Sequence, residues 1–258
     1  MQKVAKYLLN TLPRPVLIRL SLALRPLLYL WFKGNKFTDP IDGRSYRKFL
    51  PYGYGKSRAG ALAPGTLSLE RHRQMWLYLE KETTFFSDSL KVLHMAPEQA
   101  FFKRFKCMEN LHYVSADLYS PIVDVKADLL DLPFQDEEFD VVFCNHVLEH
   151  IIEDKKAMKE LYRVLKPGGW GILQVPLKRA NSETYEDFSI TDPKERQIHF
   201  GQYDHVRWYA MDYFTRLESV GFEVEILEYS KTFSKKEQMR YGLSENEILP
   251  IVRKKINR

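Results

Sequence analysis

Three stretches of this chain end on side chains that could do chemistry, and each follows a short apolar run. Asp117 closes the run Tyr113–Ala116, where a carboxylate can accept hydrogen bonds from both hydroxyls of a ribose. Asp128 closes Val123–Ala127, where a short acid can accept from an adenine amino group. Asn145 and His146 close Phe139–Cys144. In a doubly wound sheet, ligands bind at the carboxyl ends of strands, near the switch in strand order. A single acid after a strand is often only a helix cap. Three such ends in succession outline an adenosine pocket.

A second gathering falls in residues 177–208, where His199, Tyr203, Asp204, His205 and Arg207 crowd together. Displacement at an activated carbon needs alignment, and a base only where the nucleophile must lose a proton. Histidine suits that role because it titrates near neutrality. His205, oriented by Asp204, is the candidate base, with Arg207 the candidate holder of an anionic group and His199 and Tyr203 lining the pocket. The competing reading has Asp204 and Arg207 pair with each other and pin the segment. A third cluster is H-V-L-E-H, which sets His146 and His150 four apart on one face of a helical turn.

The elements that must position these groups are legible as alternation. From residue 90 onward, short apolar runs (VLHM, YVSA, VDVKA, FDVVFCN, GILQVP) are separated by helical or loop segments. Strands rich in Val and Ile, alternating with helices, argue for a parallel sheet covered on both faces. Glu153 to Leu165 reads as a helix with Met158, Leu161 and Val164–Leu165 at core spacing, stopped by Lys166-Pro167-Gly168-Gly169. Met211 to Val220 is a further helix, followed by the strand FEVEILEY. EILPIVRK supplies a last strand that Pro250 weakens or confines to an edge. Upstream, Ser68 can cap a helix in which Leu69, Met75, Trp76 and Leu79 face inward.

Composition bounds the rest. The chain has 258 residues, 45% hydrophobic and 28% charged, enough to bury a full core without staples. Two cysteines, Cys107 and Cys144, exclude a disulfide framework and a thiolate zinc site, and point to a reducing cytoplasmic compartment. The net charge is +5, yet residues 1–36 alone carry Lys3, Lys6, Arg14, Arg19, Arg25, Lys33 and Lys36 with no acid. Arg19, Arg25 and Pro26 interrupt the apolar run there, so it falls short of the roughly 20 residues a membrane span needs. Two readings stand for this basic amphipathic extension. It lies on an anionic membrane surface at the inner face, with Trp31 and Phe32 at headgroup level, or it packs on the protein. The oligomeric state is left open.

The segment 127–176, ADLLDLPFQDEEFDVVFCNHVLEHIIEDKKAMKELYRVLKPGGWGILQVP, resembles the core of class I methyltransferases of the small-molecule type. Shared with that family are an acid, then L-P-F, then F-D at a strand start, a histidine-rich turn, and a helix ending R-V-L-K-P-G-G. Extended from Lys91 to Tyr229, the resemblance accounts for the whole expected sheet. It implies a doubly wound, mostly parallel seven-stranded sheet with S-adenosylmethionine as cofactor and S-adenosylhomocysteine as product. Asp117 corresponds to the ribose-binding acid with Leu118 beside it, Asp128 to the adenine-contacting acid, and Leu129 to the backbone next to the base. Asn145 and His146 fall near the reactive sulfonium, and His150 falls on the acceptor side. Similar proteins carry the H-V-L-E-H turn without metal, so none is expected.

The sequence departs from the family where a glycine-rich D-x-G-x-G loop should follow the first strand. The stretch reads Val92-Leu93-His94-Met95-Ala96-Pro97-Glu98, which resembles a divergent branch with an H-x-A-P-E loop. His94, Ala96, Pro97 and Glu98 then belong to the cofactor site, with Glu98 able to pair with the cofactor's ammonium. Arg71, on the leading helix, is placed to reach the cofactor carboxylate. Residues 37–66 resemble a turn-rich zinc knuckle whose four ligand positions are here Asp39, Asp42, Ala63 and Thr66. Ala63 has no donor, so no zinc is expected.

The domain reading is therefore a basic extension at 1–36, a connector at 37–66, and a catalytic domain at 67–258 with an acceptor-side insertion at 177–208. The expected activity is methyl transfer to a small-molecule or lipid-like acceptor. The alternative is a catalytically silent module of the same fold, acting at a membrane surface or in complex assembly. A nicotinamide dehydrogenase is disfavoured because G-x-G-x-x-G is absent, and no RNA-binding module accompanies the fold.

Overall fold

The computed structural model describes residues 27, 29–53 and 57–256, so most of the helical extension expected at 1–36 lies outside the described residues, and its last residues are not helical: strand begins at Lys33. The chain divides into two compact units. One comprises Met1–Arg73 and Ser234–Ser244, the other Gln74–Phe233 and Glu245–Arg258.

In the first unit, β1 (Lys33–Thr38) pairs antiparallel with β2 (Ser45–Tyr46), and β3 (Leu50–Tyr52) with β4 (Arg58–Leu62). The turn joining β1 to β2 follows from Asp-Pro-Ile-Asp-Gly. Asp39 Oδ1 accepts from the Ile41 amide at 3.1 Å, Asp42 Oδ1 accepts from the Arg44 amide at 2.9 Å, and Gly43 supplies φ +67. Of the four positions expected from the knuckle resemblance, Asp39 and Thr66 are tied directly to each other, while Asp42 and Ala63 find partners outside the set. Thr66 donates its hydroxyl to Asp39 Oδ2, Ser68 donates to the same oxygen at 3.0 Å, and Tyr46 donates to Asp42 Oδ2 at 3.0 Å. Ala63 is packed with Tyr46 and Phe49 in a small core. Arg73 is fully buried and donates to the carbonyls of Ala61, Ser68, Tyr241 and Gly242, and burial lowers its pKa to about 10.

The second unit is built on a seven-stranded sheet. Its strands are β5 (Leu90–Met95), β6 (Leu111–Asp117), β7 (Val125–Lys126), β8 (Phe139–Cys144) and β9 (Leu165–Ile172). After a two-stranded ribbon of β10 (Tyr185–Glu186) and β11 (Arg207–Trp208) come β12 (Glu223–Leu227) and β13 (Leu249–Arg253). The order is β12-β13-β9-β8-β5-β6-β7, and β5 to β9 run parallel. The chain moves outward from β5 to β7 and then returns to β8 on the other side of β5. That reversal opens the ligand crevice of a doubly wound sheet.

Burial explains the continuous apolar strands. Val92, Leu93, Val141 and Val142 are wholly enclosed, as a sheet covered on both faces requires. The helix Asp154–Val164 presents Ala157, Met158, Leu161 and Val164 to that core. The Lys166-Pro167-Gly168-Gly169 stop does not open into a loop, because β9 already begins at Leu165 and ends at Ile172. A side chain at Gly171 would lie 2.5 Å from the Val142 carbonyl oxygen, so glycine here lets β9 approach β8 closely.

The last strand differs from expectation. β13 is not at an edge: it pairs antiparallel with β12 on one side and β9 on the other. Pro250 is tolerated because it lies one residue beyond the first β13–β9 pair, Ile251 with Ile172. The insertion consists of β10, the helix Pro193–Phe200 and β11, the helix capped by Asp192 and ended by Gly201 at φ +81. Among the described residues no helix is long and apolar enough to cross a membrane.

Candidate active site

Strand register sets the rim. Met95 of β5 is level with Ala116 of β6 and with Cys144 of β8, so Ala96, Asp117 and Asn145 follow at one height. Asp117 is level with Lys126 of β7, which puts Asp128 just past the neighbouring strand end. Asp117 Oδ1 accepts from the Tyr119 and Ser120 amides at 2.7 and 2.6 Å, and Asp128 Oδ1 from the Leu130 amide at 2.9 Å. Each carboxylate is thus oriented through one oxygen. The second oxygen of each takes no hydrogen bond among the described residues, which leaves it for a ligand. Leu129 is buried beside them and Leu118 is exposed.

The loop after β5 does without glycine by adopting glycine's conformation. Ala96 sits at φ +44, while its amide donates to the Ala116 carbonyl at 2.8 Å. A left-handed alanine costs on the order of 1 kcal/mol, held here by the flanking strands. Fully buried His94 bridges two groups: its Nε2 lies 2.6 Å from Glu98 Oε2 and its Nδ1 lies 2.9 Å from the Tyr113 hydroxyl. Burial, with Glu98 and Asp124 nearby, pushes the Tyr113 phenol far above its ordinary value, so it remains a donor. Glu98 is therefore anchored by one oxygen to His94, and Pro97 stiffens the corner between them.

Asn145 faces inward. Its Oδ1 accepts from the Gln174 amide at 3.0 Å and its Nδ2 donates to Met75 Sδ at 3.5 Å, tying the ends of β8 and β9. His146 is the residue at the turn, at φ +57, with its amide donating to the Gln174 carbonyl at 2.7 Å. For a non-glycine residue that conformation is strained, and such strain concentrates at functional positions.

The second gathering rearranges on folding. Asp204 does not orient His205. Its carboxylate lies 3.5 Å from His150 Nδ1, and its carbonyl 3.3 Å from the same nitrogen. His205 is buried and donates Nδ1–H to the Phe200 carbonyl at 3.2 Å, and burial holds its pKa below the ordinary histidine value. Its ring meets that of His150 edge to face, centroids 4.7 Å apart.

Arg207 is not available to an acceptor. Its guanidinium is 1% exposed and donates to Glu186 and to the carbonyls of Leu148, Ile151 and Ile152. Nor does it pair with Asp204, so the alternative pin is formed by other partners: Glu186, Asp154 and Arg216. His199 accepts from or donates to the Tyr185 hydroxyl at 2.8 Å on the insertion helix, while Tyr203 is half exposed beyond that helix. Arg71 lies in the first unit, its Nε buried. A cavity of 560 Å³ lies away from the strand ends, between the start of the helix Asp154–Val164 and the Glu186–Arg207–Arg216 cluster, whose charges satisfy one another.

Residues 89–173 match the family profile described as a methyltransferase domain. Those residues form a methyltransferase domain, built on a sheet of the class I methyltransferase type. Over 50 residues this methyltransferase chain is 48% identical to the chloroplastic 2-phytyl-1,4-beta-naphthoquinone methyltransferase of Arabidopsis thaliana, covering 19% of either protein. It is 42% identical over 67 residues to demethylmenaquinone methyltransferase of Clavibacter sepedonicus, covering 24% of this chain and 27% of the relative. The alignments thus span only about a fifth to a quarter of these curated relatives. Among solved structures, the cyclase SpnF superposes over 93% of this chain and 96% of its own, with a TM-score of 0.50 and 15% identity. That likeness speaks to the fold alone.

Two features of the candidate site escape a reading of its sequence. Glu149, inside H-V-L-E-H, looks like a spacer between histidines, yet it is 1% exposed. Tyr113 looks like one more strand residue, yet it is the group that orients His94.

Proposed function

We propose that the protein binds S-adenosylmethionine at the rim of β5, β6 and β7 and transfers its methyl group to a small-molecule or lipid-like acceptor covered by residues 177–208. The observation that carries this reading is the pair Asp117 and Asp128. Both stand on adjacent strand ends, each fixed by a backbone amide through one oxygen, level with a left-handed Ala96 that brings backbone to the rim. A ribose diol and an adenine amino group are the donors that such a pair accepts. The two relatives named above are called naphthoquinone and menaquinone-type methyltransferases, which supports a hydrophobic ring-bearing acceptor.

Calorimetric titration with S-adenosylmethionine and S-adenosylhomocysteine tests it. Micromolar binding by the native chain, weakened about 30- to 100-fold in Asp117→Ala, is the expected result, since losing hydrogen bonds to a ligand's hydroxyls costs about 2–3 kcal/mol. Absence of heat at millimolar ligand would overturn it in favour of a silent module of the same fold.

We further propose a cytoplasmic protein that meets anionic membranes through residues 1–36. Leu27, Leu30 and Trp31 are 62%, 67% and 70% exposed close to Lys33 and Lys36, the pairing of apolar and basic groups that an interface accepts. Sedimentation with anionic liposomes should fall when these residues are removed, and equal sedimentation of both forms sinks the idea.

A further inference from the structure

Glu149, near the end of β8, has a carboxylate that is enclosed without a hydrogen bond to either oxygen among the described residues. Among the described residues its ion-pair neighbour is His146, with Nδ1 at 3.3 Å from Oε1. No lysine or arginine among the described residues pairs with it. A buried carboxylate left in that state costs several kcal/mol unless something else occupies its lone pairs. Two imidazoles stand ready beside it. One donor atom each from Glu149, His150 and His205 lies within 4.8 Å of the others.

The histidines are oriented as ligands are. His205 Nδ1 faces the Phe200 carbonyl at 3.2 Å, and His150 Nδ1 faces the Asp204 carbonyl at 3.3 Å and its carboxylate at 3.5 Å. A carbonyl can only accept, so both protons reside on Nδ1 and each ring presents Nε2 as a lone pair. Outer partners that set the tautomer in this way are the usual second layer around metal-bound imidazoles.

We propose that Glu149, His150 and His205 form a binding site for one divalent transition-metal ion. Two neutral imidazoles and one carboxylate make a three-donor set suited to Zn(II), Fe(II), Co(II) or Mn(II), and unsuited to Mg(II) or Ca(II), which take oxygen. Three protein donors leave coordination positions open, the arrangement of a reactive rather than a structural site. Those positions can take water or an oxygen of the acceptor, and this last role rests on the methyltransferase reading, while the ion site itself does not. The expectation of no metal came from similar proteins that carry the H-V-L-E-H turn without one. The third ligand arrives from the far end of the insertion, and only folding brings it in.

The test uses untagged full-length protein stripped with chelator and titrated separately with Zn(II), Co(II), Mn(II) and Mg(II). One transition-metal ion per chain at micromolar affinity or tighter is expected, with Mg(II) bound weakly or not at all. Glu149→Gln and His205→Asn should each lower that affinity about 100-fold, whereas His112→Asn, an exposed strand histidine, should leave it unchanged. S-adenosylhomocysteine titration of the same variants shows that they are folded and keeps this outcome separate from the cofactor reading. Native protein without a stoichiometric site, or Glu149→Gln with unaltered affinity, overturns the proposal.

Discussion

Two enclosed carboxylates, Asp39 in the first unit and Glu149 in the second, were given opposite surroundings. Asp39 accepts from two hydroxyls and a backbone amide, so every lone pair that matters is occupied by a group of the chain itself. Glu149 accepts no hydrogen bond and faces only imidazoles. The protonation preferences follow. Burial dominates at Asp39 and raises its pKa despite the help of Thr66 and Arg73. At Glu149 burial also raises, but the close approach of the His146 ring and the charges of His146 and His150 outweigh it and leave the pKa below the ordinary value. Asp39 stands where the related knuckle has a metal ligand and has been closed by hydrogen bonds. Glu149 stands where the family expects none and has been left open. An acid that only holds structure is saturated from within, and one that waits for a ligand is not.

That contrast can be broken most easily at its stable end. Asp39→Ala should lower the unfolding free energy by about 2–4 kcal/mol in thermal or denaturant unfolding, because Thr66, Ser68 and the Ile41 amide all lose a buried acceptor. Metal-free Glu149→Gln should be at least as stable as the native chain, since it removes a buried charge and no hydrogen bond. Equal losses in the two variants would erase the distinction.

A finer version reads pH. With a raised folded pKa, Asp39 contributes stability that is present below its unfolded value of 3.8 and lost as pH rises through the folded value. Asp39→Asn keeps the shape of the protonated acid, so its deficit against the native chain should shrink as pH rises above about 4. A deficit that grows over that window would contradict the assignment. The smallest expected effect belongs to Ala96→Gly. Relieving a φ of +44 offsets the extra freedom glycine brings to the unfolded chain, so the melting free energy should move by less than about 1 kcal/mol and cofactor affinity should persist.

The division between what was and was not legible in the sequence has a physical origin. The sheet was legible because burial on both faces writes itself locally, as unbroken runs such as Phe139–Cys144. Asp117 and Asp128 were legible because a strand end places the next residue at the rim whatever else happens. Arg207 was misread because nothing nearby in sequence announces that the carbonyls of Leu148, Ile151 and Ile152 would surround it. Asp204 was misassigned to its neighbour His205 for the same reason, since adjacency in sequence says little about which way two side chains turn. The loop at Ala96 was found by its resemblance alone, and its left-handed backbone was not foreseen, because a torsion leaves no trace in residue type once glycine is gone.

The position of β13 has a consequence for how this molecule is made. Leu249–Arg253 leaves the ribosome after every other strand of the sheet, yet it fills the slot between β9 and β12. Until those residues emerge, two strand edges stand unpaired in the nascent chain, exposed to whatever else can bind an edge. Synthesis of the domain therefore ends with the insertion of a keystone, and any truncation that removes it should yield a sticky chain rather than a smaller enzyme.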